Sequence, residues 1–387
     1  MTLVSTPAPA GLRPLRTVQV TGGSAAGSTH VRSLTAGLVA RGVRVTVCAP
    51  SETEHTYGFT AVGARHVPIP RSSDPASVAA LRIACADADL VHAHGLHASF
   101  RTVLALGGRR TPLVVTWHNR ARAEGAARAA VLKMLERRVA RAAAVVLGTS
   151  SGLVDRARRR GARDARLSAA GLPRALPAGG ARPAGGERGD GPDGDRRAKL
   201  RAELGALGRP LVLTVGALEE GRGHRLLLDA ARRWRGEGDG PLVVVCGEGS
   251  LRGELQQRIE REGLPVRLLG WRHDLASLLT AADVAVVPDC VEGRSLLAQE
   301  ALHAGVPLVA ADLPGMAELV GDGAELVPEG DAGALAGKVS AVLADQAWRE
   351  ELVRRGLLQA AAWPTEDETV AQVLSVYDEL TQPLPLG

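Results

Sequence analysis

Aromatic residues are scarce, with Phe, Tyr and Trp together making up 2% of 387 residues, so the core must be built from Leu, Val and Ala. Lysine occurs only at Lys133, Lys199 and Lys338, and nearly all the positive charge is arginine. A formal charge of +5 and a pI near 9.4 invite nucleic acid or an anionic membrane as partner. No basic-plus-aromatic stacking pattern accompanies the charge, which argues against nucleic acid. With so much Ala and Gly, the arginine bias reads instead as the codon usage of a high-GC genome. An acidic substrate, or an acceptor carried on a membrane surface, stays compatible. The four cysteines, Cys48, Cys85, Cys246 and Cys290, include no C-x-x-C pair and no zinc spacing, so reduced, buried thiols are expected. No run approaches the ~18 apolar residues that span a bilayer. Residues 1–14 carry Pro and Gly where a signal peptide would be apolar. The expectation is a cytoplasmic protein, with peripheral contact at the inner membrane face left open.

What is present is alternation, over a length that suggests two domains. In the first half, β-rich runs at Thr17–Thr21, Val43–Ala49, Leu90–Ala93, Leu113–Thr116 and Val145–Leu147 alternate with helices such as Ser28–Arg41, which repeats Val31, Leu34, Leu38 and Val39 on one face. Pro173 to Gly194 dissolves into Pro, Gly, Arg, Ala and Asp, the composition of a flexible linker. Alternation resumes at Leu211–Val215, Leu242–Cys246, Val266–Leu269, Val284–Val287, Leu308–Ala310 and Leu326–Val327. This predicts an α/β chain of two Rossmann-like, doubly wound parallel-sheet domains, 1–172 and 196–365, joined by a linker at 173–195. Sheets of this kind bind ligands at the carboxyl ends of their strands, so an interdomain cleft is expected.

Gly22-Gly23-Ser24-Ala25-Ala26-Gly27 follows the first strand and opens a helix, a turn that brings backbone N–H groups close to an anion. It equally suits a tight turn with no ligand. A dinucleotide fingerprint fits worse: it needs Gly at Ser24 and an acid after the second strand, where Cys48-Ala49-Pro50 stands. His92 and His94 share a strand face and can chelate a metal, but no nearby carboxylate or thiol completes the set, so a cleft-facing or structural role is preferred. His118, in Thr116-Trp117-His118-Asn119, follows a buried strand, where it can bond a sugar hydroxyl or a phosphate, or else cap the next helix or bond a loop carbonyl. On the helix through Arg128, Lys133, Arg137, Arg138 and Arg141, the basic face reads as the solvated side, with Val131, Leu135 and Val139 toward the sheet; contact with anionic lipid is the alternative.

The most informative stretch is Pro288–Pro307, where Glu292 and Glu300 flank seven residues and a helix is predicted from near Ser295 to near Ala304, ended by Gly305. Backbone N–H groups over Gly293, Arg294, Ser295 and Leu296 would face a pyrophosphate with the helix dipole behind them. Glu300 can accept ribose hydroxyls, and Glu292 hydroxyls of a hexose. The E-x7-E spacing, the Glu-Gly after a strand and the Glu-Ala-x-x-x-Gly-x-Pro ending resemble family 4 of the retaining glycosyltransferases, which have the GT-B fold. Val215-Gly216-Ala217-Leu218 with Arg222-Gly223 resembles that family's phosphate loop. Gly270-Trp271, with Leu278 and Ala282-Asp283-Val284, resembles its stretch beside the base. Gly22-Gly23 with His30-Val31, Asp89 to His94, and Thr116-Trp117-His118 resemble its acceptor-side elements, and Trp363 and Tyr377 bracket a terminal helix (366–387) like the one that crosses back to the first domain.

The resemblance implies metal-independent, front-face transfer of a hexose from a nucleoside diphosphate sugar, with no further cofactor. Glu292, Arg222 and His118 would be catalytic, and Glu300, Gly293, Arg294, Ser295, Leu296, Gly216, Gly23 and Gly270 would bind the donor. Gly22 and His94 fall on the acceptor side, as do the variable loops within Ser51–Pro75. Two departures stand out. Ala217 replaces the first of two basic residues in the phosphate loop, for which His224 or Arg225 are candidate substitutes, and Ser295 stands where Gly is usual. They motivate a rival reading, a degenerate subunit that binds donor without turnover; a sugar-nucleotide epimerase or a phosphorylase is the other.

Overall fold

The computed structural model describes residues 13–23, 25–71, 74–120, 125–168, 192–235, 240–272, 274–288 and 294–382. The chain divides into two compact units. One holds residues up to His118, Ala123–Leu172 and the stretch from Pro364 onward; the other holds Asn119–Arg122 and Pro173–Trp363.

In the first unit the order is β1 (Arg16–Thr21), α1 (Ala25–Ala40), β2 (Arg44–Ala49), α2 (Ser51–Tyr57), β3 (Arg65–Pro68), α3 (Pro75–Ala84), β4 (Leu90–His94), α4 (Leu96–Ala105), β5 (Leu113–Trp117), α5 (Ala126–Ala142), β6 (Val145–Gly148), α6 (Ser151–Arg159) and β7 (Ala165–Leu167). All seven strands are parallel, in the order β3-β2-β1-β4-β5-β6-β7. Central strands such as β4 and β5 are buried at every position, as a sheet covered on both faces requires. The sequence reading missed β3 and β7, which are short and lie at the sheet's edges. It also took Ser51–Pro75 for loop, although α2 and β3 lie there.

The second unit repeats the plan with α7 (Pro192–Glu203), β8 (Leu211–Val215), α8 (His224–Ala231), β9 (Leu242–Cys246), α9 (Arg252–Glu262), β10 (Val266–Gly270), α10 (Leu275–Ala281), β11 (Val284–Val287), α11 (Leu296–His303), β12 (Leu308–Ala311), α12 (Met316–Val320), β13 (Glu325–Val327), α13 (Ala332–Ala344) and α14 (Gln346–Ala361). Its six parallel strands run β10-β9-β8-β11-β12-β13. Separate aliphatic cores fill the two faces of this sheet.

The last helix, α15 (Glu366–Thr381), belongs to the first unit. A capping box starts it: Thr365 Oγ1 accepts from Glu368 N at 3.1 Å, and Glu368 Oε2 accepts from Thr365 N at 2.8 Å. It packs on α1 at Gly37, where a Cβ would lie 2.4 Å from a Val370 methyl carbon, so only glycine permits this approach. Val370, Val373, Val376 and Tyr377 join the core formed by Val31, Leu34 and Leu38 of α1.

Candidate active site

In each sheet the strand order reverses once, between β1 and β4 in the first unit and between β8 and β11 in the second. Ligands of doubly wound sheets bind at the carboxyl ends of the strands flanking such a reversal. Of the site residues chosen from sequence, Gly22 and Gly23 follow β1 and His94 ends β4, while Gly216 and Arg222 follow β8 and Arg294 to Glu300 follow β11; Gly270 ends the edge strand β10, and His118 follows β5.

At the second-unit reversal, Gly216 N donates to Cys246 O of β9 (3.0 Å), and Gly247 N donates to Gly270 O of β10 (2.9 Å). Gly223 caps α8 with φ +70°, and a Cβ there would lie 1.9 Å from Pro288 O. Only glycine allows both this left-handed backbone and this closeness. The contact sets the half-buried Arg222 beside the chain leaving β11. Glu292 and Gly293 lie outside the described residues, as does Cys290.

α11 begins with Ser295 as its N-cap, the side chain accepting from Ala298 N at 3.3 Å. The serine that departs from the family pattern therefore has a local role. Leu296 opens the helix, half-buried, and Glu300 lies in its second turn at 9% exposure. Gly305, at φ +64°, follows the helix end as expected. The Arg294 guanidinium lies over the Trp363 ring, 5.6 Å from its centroid, with Nη2 3.4 Å from Gln299 Oε1. Burial lowers its pKa to about 10, opposed by Glu318. Its side chain thus packs on Trp363. Of the candidate substitutes for a second cation, Arg225 is held by Glu254 and Glu220, and the His224 ring faces Ala217 O at 2.9 Å.

At the first-unit reversal, Gly23 has φ +86° and its N–H donates to Thr21 Oγ1 (3.4 Å). Arg71, which sequence reasoning passed over, donates from Nε to Gly22 O (2.9 Å) and pairs with Glu52 (2.8 Å). Beside this turn lies a buried polar cluster on one sheet face. His92 faces Tyr377 through Nδ1 and Thr116 through Nε2, both at 2.7 Å. His94 faces Gln19 Oε1 through Nε2 (2.9 Å) and His118 Nε2 through Nδ1 (3.3 Å). His30 of α1 sits with its ring 5.1 Å from His118 and 5.6 Å from His94, centroid to centroid. Burial drives His92, His94 and His118 well below the ordinary histidine pKa, with neighbouring histidines adding to the effect, and brings His30 to about 4. Among the described residues, no group of three or more His, Cys, Asp or Glu is arranged to hold a metal ion. His118 bonds a neighbouring histidine and is not a helix cap.

Away from both reversals, Arg109, Lys133, Arg137, Arg138 and Arg141 line a groove of about 790 Å³ between α4 and α5. The inner side of α5 is fixed by Glu136, which pairs with Arg156 and Arg160 at 2.7 Å each. Val139 faces the core as expected, but Val131 is 52% exposed beside Met134 at 60%, so the expected sheet-facing stripe stops short. Cys48, Cys85 and Cys246 are buried free thiols. Among the described residues, no helix is long and apolar enough to cross a membrane.

Family models match both halves: one for a Glycosyl transferase 4-like domain over residues 26–172, and one for Glycosyl transferases group 1 over residues 196–358. The alpha-D-kanosaminyltransferase of Streptomyces kanamyceticus is 29% identical over 65% of this chain and 64% of its own. The phosphatidyl-myo-inositol mannosyltransferase of Mycobacterium leprae is 34% identical over 43% of this chain and 46% of its own. The chain thus spans less than two thirds of these curated relatives. Anabaena HepE, solved with UDP-glucose, superposes with a TM-score of 0.78 at 20% identity, covering 94% of this chain and all of that one. A sucrose-phosphate synthase from Thermosynechococcus elongatus superposes at 0.72 with 20% identity over 94% and 99%. Taken with the two doubly wound sheets, the paired matches place this chain in the group 1 glycosyltransferases of the family 4 type, with the GT-B fold.

Proposed function

We propose that the protein moves a hexose from a nucleoside diphosphate sugar to an acceptor hydroxyl, with retention of anomeric configuration and without a metal ion. The observation that carries this reading is the close approach of Gly223 to Pro288, which joins the Arg222 loop to the segment entering α11. A diphosphate there would meet one guanidinium and the amides of Ser295 to Leu297, which precede the first intrahelical bond, Gln299 N to Ser295 O. Glu300 is assigned the ribose hydroxyls, and Glu292 the hexose. As the C1–O bond to the diphosphate breaks, Arg222 and the amide dipoles stabilise the charge on the leaving oxygen. That oxygen takes the acceptor proton while the acceptor oxygen bonds C1 on the same face. Gly23 and Gly270 complete the assigned donor contacts, Gly22 and His94 the acceptor side, and His118 a sugar hydroxyl. A nucleoside diphosphate sugar bound in HepE and a kanosamine transferred by the Streptomyces relative support the substrate class.

The test is a thermal-shift panel of nucleotide sugars, followed by transfer with the best donor in EDTA and NMR of the product anomer. Stabilisation by one donor, EDTA-resistant turnover and retained configuration are expected. Binding without turnover selects the degenerate subunit, and inversion or metal dependence refutes the mechanism.

As partner we propose an anionic lipid surface contacted through α5. Arg109, Lys133, Arg137, Arg138 and Arg141 have no ion-pair partner among the described residues, and Val131 and Met134 stand exposed beside them. Cations flanking exposed apolar side chains suit a bilayer interface, each contributing about 1 kcal/mol. Sedimentation with phosphatidylglycerol vesicles should capture the protein in low salt, and Arg137→Glu with Arg138→Glu should release it. Equal binding to phosphatidylcholine vesicles would refute the surface.

A further inference from the structure

The buried cluster at the first-unit reversal forms one continuous hydrogen-bonded chain, and its polarity can be worked out. Gln19 lies on β1 opposite His92 on β4, and Thr116 on β5 lies opposite His94, so all four share a sheet face. Tyr377 reaches them from α15, which the Gly37–Val370 contact seats on α1.

A neutral imidazole has one N–H and one bare nitrogen, so each contact constrains the next. Tyr377 has a single proton and two polar neighbours, His92 Nδ1 at 2.7 Å and the Gln19 amide at 2.9 Å. The amide nitrogen of Gln19 can only donate, and imidazole nitrogen is a good acceptor, so the phenol donates to His92, whose Nε2–H then donates to Thr116. The phenol oxygen accepts from Gln19 Nε2, and the 2.9 Å distance is an ordinary N–H···O length. Gln19 Oε1 is thereby turned to His94, whose Nε2 must donate to it. His94 Nδ1 is left bare, so the proton in its contact with His118 belongs to His118 Nε2.

We propose that Tyr377 and Gln19 are positioning residues that hold His118 as the Nε2–H tautomer, leaving its Nδ1 a bare acceptor for a ligand hydroxyl. That nitrogen has no partner among the described residues and is not one of the fully buried polar atoms. A bare nitrogen accepts from a sugar or alcohol O–H and repels a phosphate oxygen, so of the two ligands the sequence allowed for His118, the structure assigns the hydroxyl. If the amide of Gln19 were turned over, every bond in the chain would reverse and His118 would present N–H instead. The choice between hydroxyl and phosphate is thus set in the C-terminal helix. Only the naming of a sugar as ligand rests on the proposed transfer reaction.

The experiment is long-range ¹H–¹⁵N correlation of the full chain, labelled at histidine, at pH 7.5 and without substrate. His94 and His118 should each show a protonated Nε2 and a bare Nδ1. In Tyr377→Phe, and separately in Gln19→Met, the His118 nitrogens should move toward averaged, mixed-tautomer shifts, while a His92→Gln control marks which signals are local to His92. A protonated Nδ1 or a doubly protonated His118 in the unaltered protein overturns the assignment. An unchanged His118 spectrum in both folded variants overturns the role of Tyr377 and Gln19. Because no donor or acceptor is present, the outcome is independent of whether the transfer reaction is correct.

Discussion

The two strand-order reversals are built from opposite materials. In the second unit the place is made of backbone: Gly216, the Gly223 approach to Pro288 and the first amides of α11, with Arg222 as the cation beside them. In the first unit it is made of side chains, an interlocked set of neutral imidazoles, an amide and a phenol. Backbone dipoles and a guanidinium suit a fixed anion. Neutral, directional side chains suit hydroxyls, whose orientation has to be read. The same topological position is thus filled differently in the two units.

The sharpest way to break this comparison is to remove the cation. Arg222→Ala should lower kcat by roughly 10²–10³, about 3–4 kcal/mol of transition-state stabilisation. Glu292→Ala should fall in the same range through loss of hexose positioning. Arg225→Ala should change turnover little, because Glu254 and Glu220 already hold that guanidinium. Steady-state kinetics on the three variants decide it; near-wild-type turnover in Arg222→Ala would remove the anion site from the second unit.

Acid should separate the units next. Burial depresses the histidines of the first-unit cluster, His30 to about 4, below the ~6.5 of an unfolded chain. As pH falls below ~6.5 the unfolded chain takes up protons that the folded cluster refuses. The contribution of these groups is therefore full above that value and lost on acidification, through about 4 for His30. His30 alone would then remove on the order of 3 kcal/mol. Hydrogen exchange between pH 7.5 and 4.5 should show β4 and β5 amides losing protection before those of β8 and β11. Equal loss in both sheets would show that the cluster does not govern the first unit.

The same contrast explains what the sequence could disclose. In the second unit, Ser295 and Gly305 act through capping and helix termination that a short window carries, whereas the approach of Gly223 to Pro288 joins distant stretches of the chain. The strand-helix alternation was legible in short windows too, except at β3 and β7, edge strands of four and three residues with little periodicity to read. The histidine cluster was legible only as fragments. His92 and His94 could be read only as sharing a strand face, with a cleft-facing or structural role preferred over a chelate, because nothing in their window points to Tyr377, 285 residues away, or links Gln19 to Tyr377 across 358. Val131 was assigned to the core by helical period, but the α5 stripe is buried only near Val139. Arg71 was invisible because its bond to Gly22 O, a backbone carbonyl, crosses 49 residues, and no local pattern marks its pairing with Glu52.

The smallest expected effect concerns the cation that the phosphate loop lacks. Ala217 is exposed, its carbonyl accepts from the His224 ring, and no non-glycine residue among those described has positive φ, so an arginine fits there without strain. If the second unit binds the diphosphate through this loop, Ala217→Arg adds a charge-assisted contact beside Arg222. It should raise kcat/KM about tenfold, near 1.4 kcal/mol, and steepen the dependence on salt. Ala217→Glu should lower it by a similar factor. A gain confined to KM would mean that the added charge holds the ground state and the leaving oxygen equally. A loss on adding the arginine would mean that the diphosphate lies elsewhere, and the backbone-built site would lose its assigned ligand.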